Sequence, residues 1–335
     1  MNLPIAILTI RWMFRDTLRQ ALASGVFWLM LCVSLVCTLF CFSAGIQGDP
    51  VSLERTGELT EFLPRHGSSG SDLDKAARSG VDVVRGELTL GFGAVRMPLG
   101  RDAEAAVHLL QLLLAGGVAD ALGVLLALVW TAGFLPTFLE PSAATVLLSK
   151  PVPRWSILAG KYGGVLAFVG FQAIVFVGGT WLALGLRTGV WTPAYLLCVP
   201  LLILHFAIFF SCSVFLAVCT RSTVACVFGS VLFWLLCWGL NYGHHAALAT
   251  PQLQSVAPAF QGMVDVVYWI LPKPADLSMV LFDALQADNS FSRLFDYQTL
   301  QSLGAFSPEL SVLSSLVFTL VMLAASARQL ATTEY

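Results

Sequence analysis

Long apolar runs, broken by polar stretches of very unequal length, organise this chain. Gly25 to Ile46 continues for about 22 residues without a charge, enough to cross ~30 Å of hydrocarbon. Comparable runs predict further spans at 107–139, 163–187, 194–219, 224–242 and 309–328. The second is longer than a crossing requires and is interrupted by Gly116, Gly117 and Asp120. The last opens well: Ser307 can cap, Pro308 suits the first helical position and Glu309 meets the helix dipole. The pattern predicts an all-α integral membrane protein with six transmembrane helices.

The polar stretches predict the remainder. Residues 1–24 read as an amphipathic interfacial helix. At about 100° per residue, Arg11, Arg15, Asp16, Arg19 and Gln20 share one half, and Ile10, Met13, Phe14, Leu18 and Ala21 the other. Trp12 sits among the basic residues, as interfacial tryptophans do. A signal peptide would have an earlier, shorter apolar region and a small-residue cleavage site. Residues 47–106 hold a GSSGSD linker and then VDVVRGELTLGF, where Val81 with Val83, and Leu88 with Leu90 and Phe92, keep the two-residue period of a strand. They predict a β-leaning extracytoplasmic segment, with a mostly disordered loop as the alternative. The other long polar stretch, 243–308, contains VDVVYWIL, bounded by Asp265 and by Pro272-Lys273-Pro274. That run is too short to cross and predicts an interfacial or re-entrant helix anchored by Tyr268 and Trp269.

Residues 140–162, EPSAATVLLSKPVPRWSILAGKY, interrupt two long apolar runs. Pro141 breaks the preceding helix, Ser142 to Ser149 can form one short helix, and Pro151 and Pro153 enforce an extended turn. A helix restarts from Ser156. The result is a stiff elbow carrying Lys150, Arg154 and Lys161. On residue types alone it is equally a basic loop between two membrane helices. The glutamate, the small-residue helix, LLSKPVPRW and the apolar LAGKYGG resemble the cytoplasmic coupling region of ABC-2 type permeases, the membrane subunits of ATP-binding-cassette transporters. The resemblance implies that Glu140, Lys150, Pro151, Arg154 and Lys161 face a separate ATPase subunit, which would hold ATP and magnesium. It also implies a second permease subunit, in a homo- or heterodimer. Pro141 and Ala143 depart from the polar residue or glycine usual in such relatives.

Basic residues set the expected orientation. Arg11, Arg15, Arg19, Lys150, Arg154, Lys161, Arg221 and Arg328 fall on one side, against Asp16, Glu140 and Glu334. The opposite side is richer in acidic than in basic residues, and its basic residues lie mostly in loops too long for the positive-inside rule. Both termini, including the 329–335 tail, are therefore expected in the cytoplasm, with the protein in the plasma (inner) membrane and in contact with its lipids. Reading VDVVYWIL as a seventh span would move the C-terminus outside.

Composition removes several functions. With 57% hydrophobic and 11% charged residues and a mean hydropathy of +0.80, the chain has no basic run suited to nucleic acid. The 8 cysteines all lie in or beside apolar runs, which argues against a disulfide framework or a thiolate metal site. No P-loop is present: Gly160-Lys161 is followed by Tyr162, and Trp155 stands where the first glycine belongs. GxSxG, HExxH and CxxC are also missing, so neither an enzyme nor a cofactor site is expected in this chain. His244-His245 reads as interfacial polarity in preference to a metal site.

One intramembrane charge stands out. Asp120 lies about 12 residues into the second span, ~18 Å at ~1.5 Å per residue, and His205 lies about 11 residues into the fourth. Both spans run inward, so the two share a depth and could pair, although Asp120 could equally be neutral and bonded to a nearby carbonyl or hydroxyl. The expected function is an ABC permease subunit, working as an exporter. An ion-coupled transporter or channel, or a membrane scaffold or sensor without transport, are the alternatives.

Overall fold

The computed structural model describes residues 3–51, 83–98, 103–138, 153–249, 258–285 and 307–332. Helix α1 (Leu3–Ala23) gives way at Ser24 to α2 (Gly25–Phe42). The Ser24 hydroxyl accepts from the Phe27 N–H at 3.4 Å and so caps the second helix. Strands β1 (Gly45–Val51), β2 (Val83–Leu90) and β3 (Val95–Pro98) follow as an antiparallel three-stranded sheet in that order. The first span thus ends at Phe42 and not at Ile46. A short apolar tail suits a strand as well as a helix, and Gly45 and Ile46 pair with Thr89 and Leu88. The turn into β3 holds Gly91, Phe92 and Gly93 at φ 63°, 57° and 93°.

The second span (Ala106–Pro136) has a mixed ladder. It consists of α3 (Ala103–Leu112), a π-helical segment (Leu113–Gly123), α4 (Val124–Thr131) and the short α5 (Phe134–Phe138). The π segment coincides with Gly116, Gly117 and Asp120. Adjacent glycines weaken an α-helix, and the wider turn pairs each N–H one residue further back, as Val124 does with Ala119.

Helix α6 (Arg154–Thr188) is continuous for 35 residues, from an extended Pro153 to a left-handed cap at Gly189. The end of the expected 140–162 elbow is therefore already span 3, while residues 139–152 lie outside the described residues. A 3-10 turn (Pro193–Leu197) leads into α7 (Cys198–Thr220). This fourth span is the axis of the bundle: 67% of its apolar window is buried, against 17% for α2. Helix α8 (Thr223–Ala249) does not stop at Tyr242: Gly243 stays within the helix, the AALA that follows is made of strong helix formers, and His244 and His245 are carried into the last turns. Next come α9 (Pro258–Ile270) and α10 (Pro274–Ala284), then α11 (Pro308–Thr332). The proline-rich sequence expected only as a boundary starts a second short helix, with Pro274 at a position that has no N–H to satisfy. Helices α9 and α10 follow one another across a short turn and each packs on α8 and α11, and α10 also meets α7 and the π segment.

Among the described residues six helices are long and apolar enough to cross a membrane, so the chain is an integral membrane protein whose spans are α-helical. The sheet sits at one end of the bundle, where the Arg187 guanidinium at the end of α6 donates to the Ala44 carbonyl at 3.2 Å. Helix α1 occupies the other end. Its stripe of Ala6, Ile10, Met13, Thr17 and Ala21 packs along the first turns of α6, leaving Ile7, Leu8 and Trp12 exposed. Gly160 and Gly164 allow this approach. A Cβ on Gly160 would lie 2.6 Å from the Met13 Cβ, and one on Gly164 would lie 2.7 Å from the Thr17 Cβ. Gly160→Ala is therefore expected to destabilise the protein by about 1–3 kcal/mol through overpacking. Gly178→Ala, whose Cβ would meet nothing within 4 Å, should not. Thermal unfolding in detergent of the two variants side by side checks this, and equal midpoints would contradict the packing.

Candidate functional site: buried polar clusters and the α1 end

Among the described residues two carboxylates are buried in the bundle, Asp120 and Asp276, and both hold α10. Asp120, on the π segment, meets the Nδ1 of His205 on α7 and accepts from the Ser278 hydroxyl of α10 at 2.6 Å. Asp120 is 5% exposed and His205 0%, so the pair is shielded from both solvent and lipid. The structure thus brings together the two intramembrane residues singled out from their depth, and adds a serine from a helix that the sequence did not reveal. Among the described residues the Nε2 of His205 has no hydrogen-bond partner.

The second carboxylate, Asp276 on α10, is fully buried and has donors on four sides. His245 Nε2 lies 2.6 Å from its Oδ1 and Asn241 Nδ2 3.0 Å. Tyr268 and Ser311 donate to Oδ2 at 2.7 and 2.5 Å. Asn241 also turns its Oδ1 to the N–H groups of Ala275 and Asp276, at 2.9 and 3.3 Å, and so closes the open start of α10. Burial alone would raise the Asp276 pKa, but the bonds from His245, Ser311 and Tyr268 outweigh it and hold the carboxyl below its ordinary value. Beside it, burial pulls the Lys273 ammonium down to about 8. That ammonium donates to Ser314 at 2.6 Å and sits 4.6 Å from the Tyr268 ring centroid and 4.9 Å from that of Trp269. Tyr268 is thus a buried contact of the cluster, whereas Trp269 is half exposed. His244 pairs with Asp265 at 3.0 Å and stacks on Tyr268.

Of the coupling residues, Glu140, Lys150 and Pro151 lie outside the described residues. Lys161 is 2% exposed, with its ammonium 2.9 Å from Asp16 Oδ2 and 3.2 Å from Gln20 Oε1 on α1. Arg154 donates to the carbonyls of Leu330 and Ala331 at 2.8 and 3.2 Å, covering the open end of α11. The first two turns of α6 therefore grip both α1 and the last turn of α11.

The order of the spans and the two short helices before the last of them are now on the page. A family model described as ABC-2 family transporter protein matches residues 11–333. The chain belongs to the ABC-2 transporter family. It is accordingly a membrane permease, and such subunits work in general with an ATP-binding partner and are not generally catalytic themselves. Comparison with curated proteins finds no match.

Asn241, Asp276, Ser278 and Ser311 were not singled out from the sequence, and Tyr268 was read only as an interfacial anchor. Asn241 and His245 share a helix face at i, i+4, and PKPAD carries a helix-start signature. Neither signal identifies a cluster until α8 is known to continue past Tyr242. Removing one partner of a buried hydrogen bond leaves the other unsatisfied at a cost of about 1–3 kcal/mol, so Asp120→Ala and His205→Ala should each destabilise the permease by an amount of that order. The double variant should lose less than the sum by about 1 kcal/mol or more. Unfolding by SDS titration measures the cycle, and additive losses would show that the two side chains are uncoupled.

Proposed function

We propose that the permease couples ATP hydrolysis on a separate ATP-binding-cassette subunit to export of a substrate across the plasma (inner) membrane, with both termini and the α1 end in the cytoplasm. ATP and magnesium belong to the partner. A second permease subunit, identical or not, would complete the pathway. The observation that carries the reading is the grip at the start of α6. The elbow leads directly into Arg154, and within three turns the helix holds α11 through Arg154 and α1 through Lys161, Gly160 and Gly164. A push delivered to residues 140–153 then acts on three elements at once. Helix α6, continuous to Thr188, carries it to the sheet end.

In this reading Lys150 and Glu140 meet the ATPase. Lys161 and Arg154 act behind them, passing the displacement to α1 and α11. The Asp120–His205 pair sets the register of spans 2 and 4 or lines the pathway. Two buried carboxylate–imidazole pairs also favour a second reading, in which protons move with or against the substrate. Charge reversal at an interface acts through like-charge repulsion worth several kcal/mol. Lys150→Glu should therefore lower co-purification of the ATPase at least about tenfold and abolish permease-dependent ATP turnover, with membrane insertion unchanged. An intact complex with unchanged turnover would reduce the elbow to a connecting loop. Substrate movement driven by a proton gradient in the absence of ATP would favour the second reading.

A further inference from the structure

Helix α1 has two faces, and the fold buries only one of them. The outward half carries Arg11, Arg15 and Arg19, all exposed. At ~100° per residue the three drift by only ~80° over ~12 Å of helix, so they form one stripe. Among the described residues none of the three guanidiniums meets a carboxylate. Asp16 is the only acidic residue of α1, and the Lys161 ammonium already lies 2.9 Å from it. The outward half is not simply a solvated basic face. Leu8 is 56% exposed, Trp12 66% and Leu22 52%, and all three fall within or beside the arc of the arginines. Only Ser24 separates α1 from α2, whose apolar window is just 17% buried, so the helix ends where a lipid-facing span begins.

We propose that the outward face of α1 binds anionic phospholipid, with Arg11, Arg15 and Arg19 on the headgroup phosphates and Leu8, Trp12 and Leu22 at the acyl boundary. Charge and polarity name the occupant together. Three unmatched cations call for negative charge, and a guanidinium offers phosphate a two-pronged contact. The apolar side chains interleaved with them call for a surface that is oily a few ångströms away, the level at which tryptophan settles in a bilayer. An acidic protein groove would meet the arginines and leave Leu8 and Trp12 in water. A basic residue beside an anionic leaflet contributes about fivefold in affinity. The contact requires only that α1 lie at the membrane surface, so it stands whether or not the ATP-coupled reading is correct.

The test places the photocrosslinker p-benzoylphenylalanine at position 12, aromatic for aromatic, in the full-length permease. Nanodiscs of phosphatidylcholine with about 30% phosphatidylglycerol hold it, with and without its ATPase, and mass spectrometry identifies what is captured. Phosphatidylglycerol adducts should exceed the bulk lipid ratio at least about fivefold, the factor of one arginine. The triple variant Arg11→Gln/Arg15→Gln/Arg19→Gln should return the adducts to within about twofold of the bulk ratio, whereas lysine at the three positions should keep the enrichment. Arginines near the first span also bias its orientation, so a salt series on the native arginines supplies a second reading. Raising salt from about 0.01 M to 1 M shortens the screening length from ~30 Å to ~3 Å and should at least halve the enrichment. Native adducts at the bulk ratio would overturn the proposal. So would an enrichment that neither salt nor the glutamine variant moves, or one lost in the lysine variant, or capture chiefly of the ATPase in the complex.

Discussion

An ammonium buried at the beginning of a membrane helix constrains everything around it. Lys161 is shielded almost completely, and its ammonium meets Asp16 and Gln20 of α1. Moving α1 away would break both contacts to a shielded ammonium, which costs more than the loss of a fully exposed ion pair. The contact also needs the two helix backbones close together, which Gly160 and Gly164 permit and larger residues would forbid. Charge and shape therefore fix the same joint. Arg154, less than two turns earlier, brings the end of α11 into it.

The opposite half of the bundle is held by another kind of constraint. Apolar packing gives a membrane helix little preference for protein over lipid, since lipid tails are as apolar as leucine. Two short helices such as α9 and α10 would gain little by packing alone. Their hold is polar: Asp276 draws in α8, α9 and α11, and Asp120 with Ser278 ties α10 to the π segment and α7. The π segment takes part in this, because Asp120 lies on the stretch where Gly116 and Gly117 have already loosened the α ladder.

Much of this was legible in the sequence, for physical reasons that differ by element. Apolar runs of spanning length leave few alternatives, so the six crossings could be read directly. Asp120 and His205 could be matched because depth along a helix follows from a fixed rise per residue. The end of α2 was misplaced by a few residues, since Ala44 and Ile46 suit either ladder. The continuation of α8 was missed because two adjacent histidines look like the start of a polar loop. They become buried helix residues only when Asp276 and Asp265 arrive from a distant part of the chain. Lys161 was read as a surface cation for the same reason. Nothing local to LAGKYGG says that α1 will cover it.

Under the proposed ATP coupling, a displacement must reach the bundle as a rigid movement and not as the bending of a loop, and the Lys161 joint suits that reading. The most direct measurement is a pair of spin-label distances in a cysteine-free background, taken in the complex with its ATPase with and without a non-hydrolysable ATP analogue. Labels at Arg19 on α1 and Ala159 on α6 report the joint, and labels at Ala159 and Val224 report movement of α6 against α8. The account predicts that the first distance distribution is superimposable in the two states while the second shifts by several ångströms. Separation of Arg19 from Ala159 on ATP binding, with Ala159 and Val224 unmoved, would contradict it.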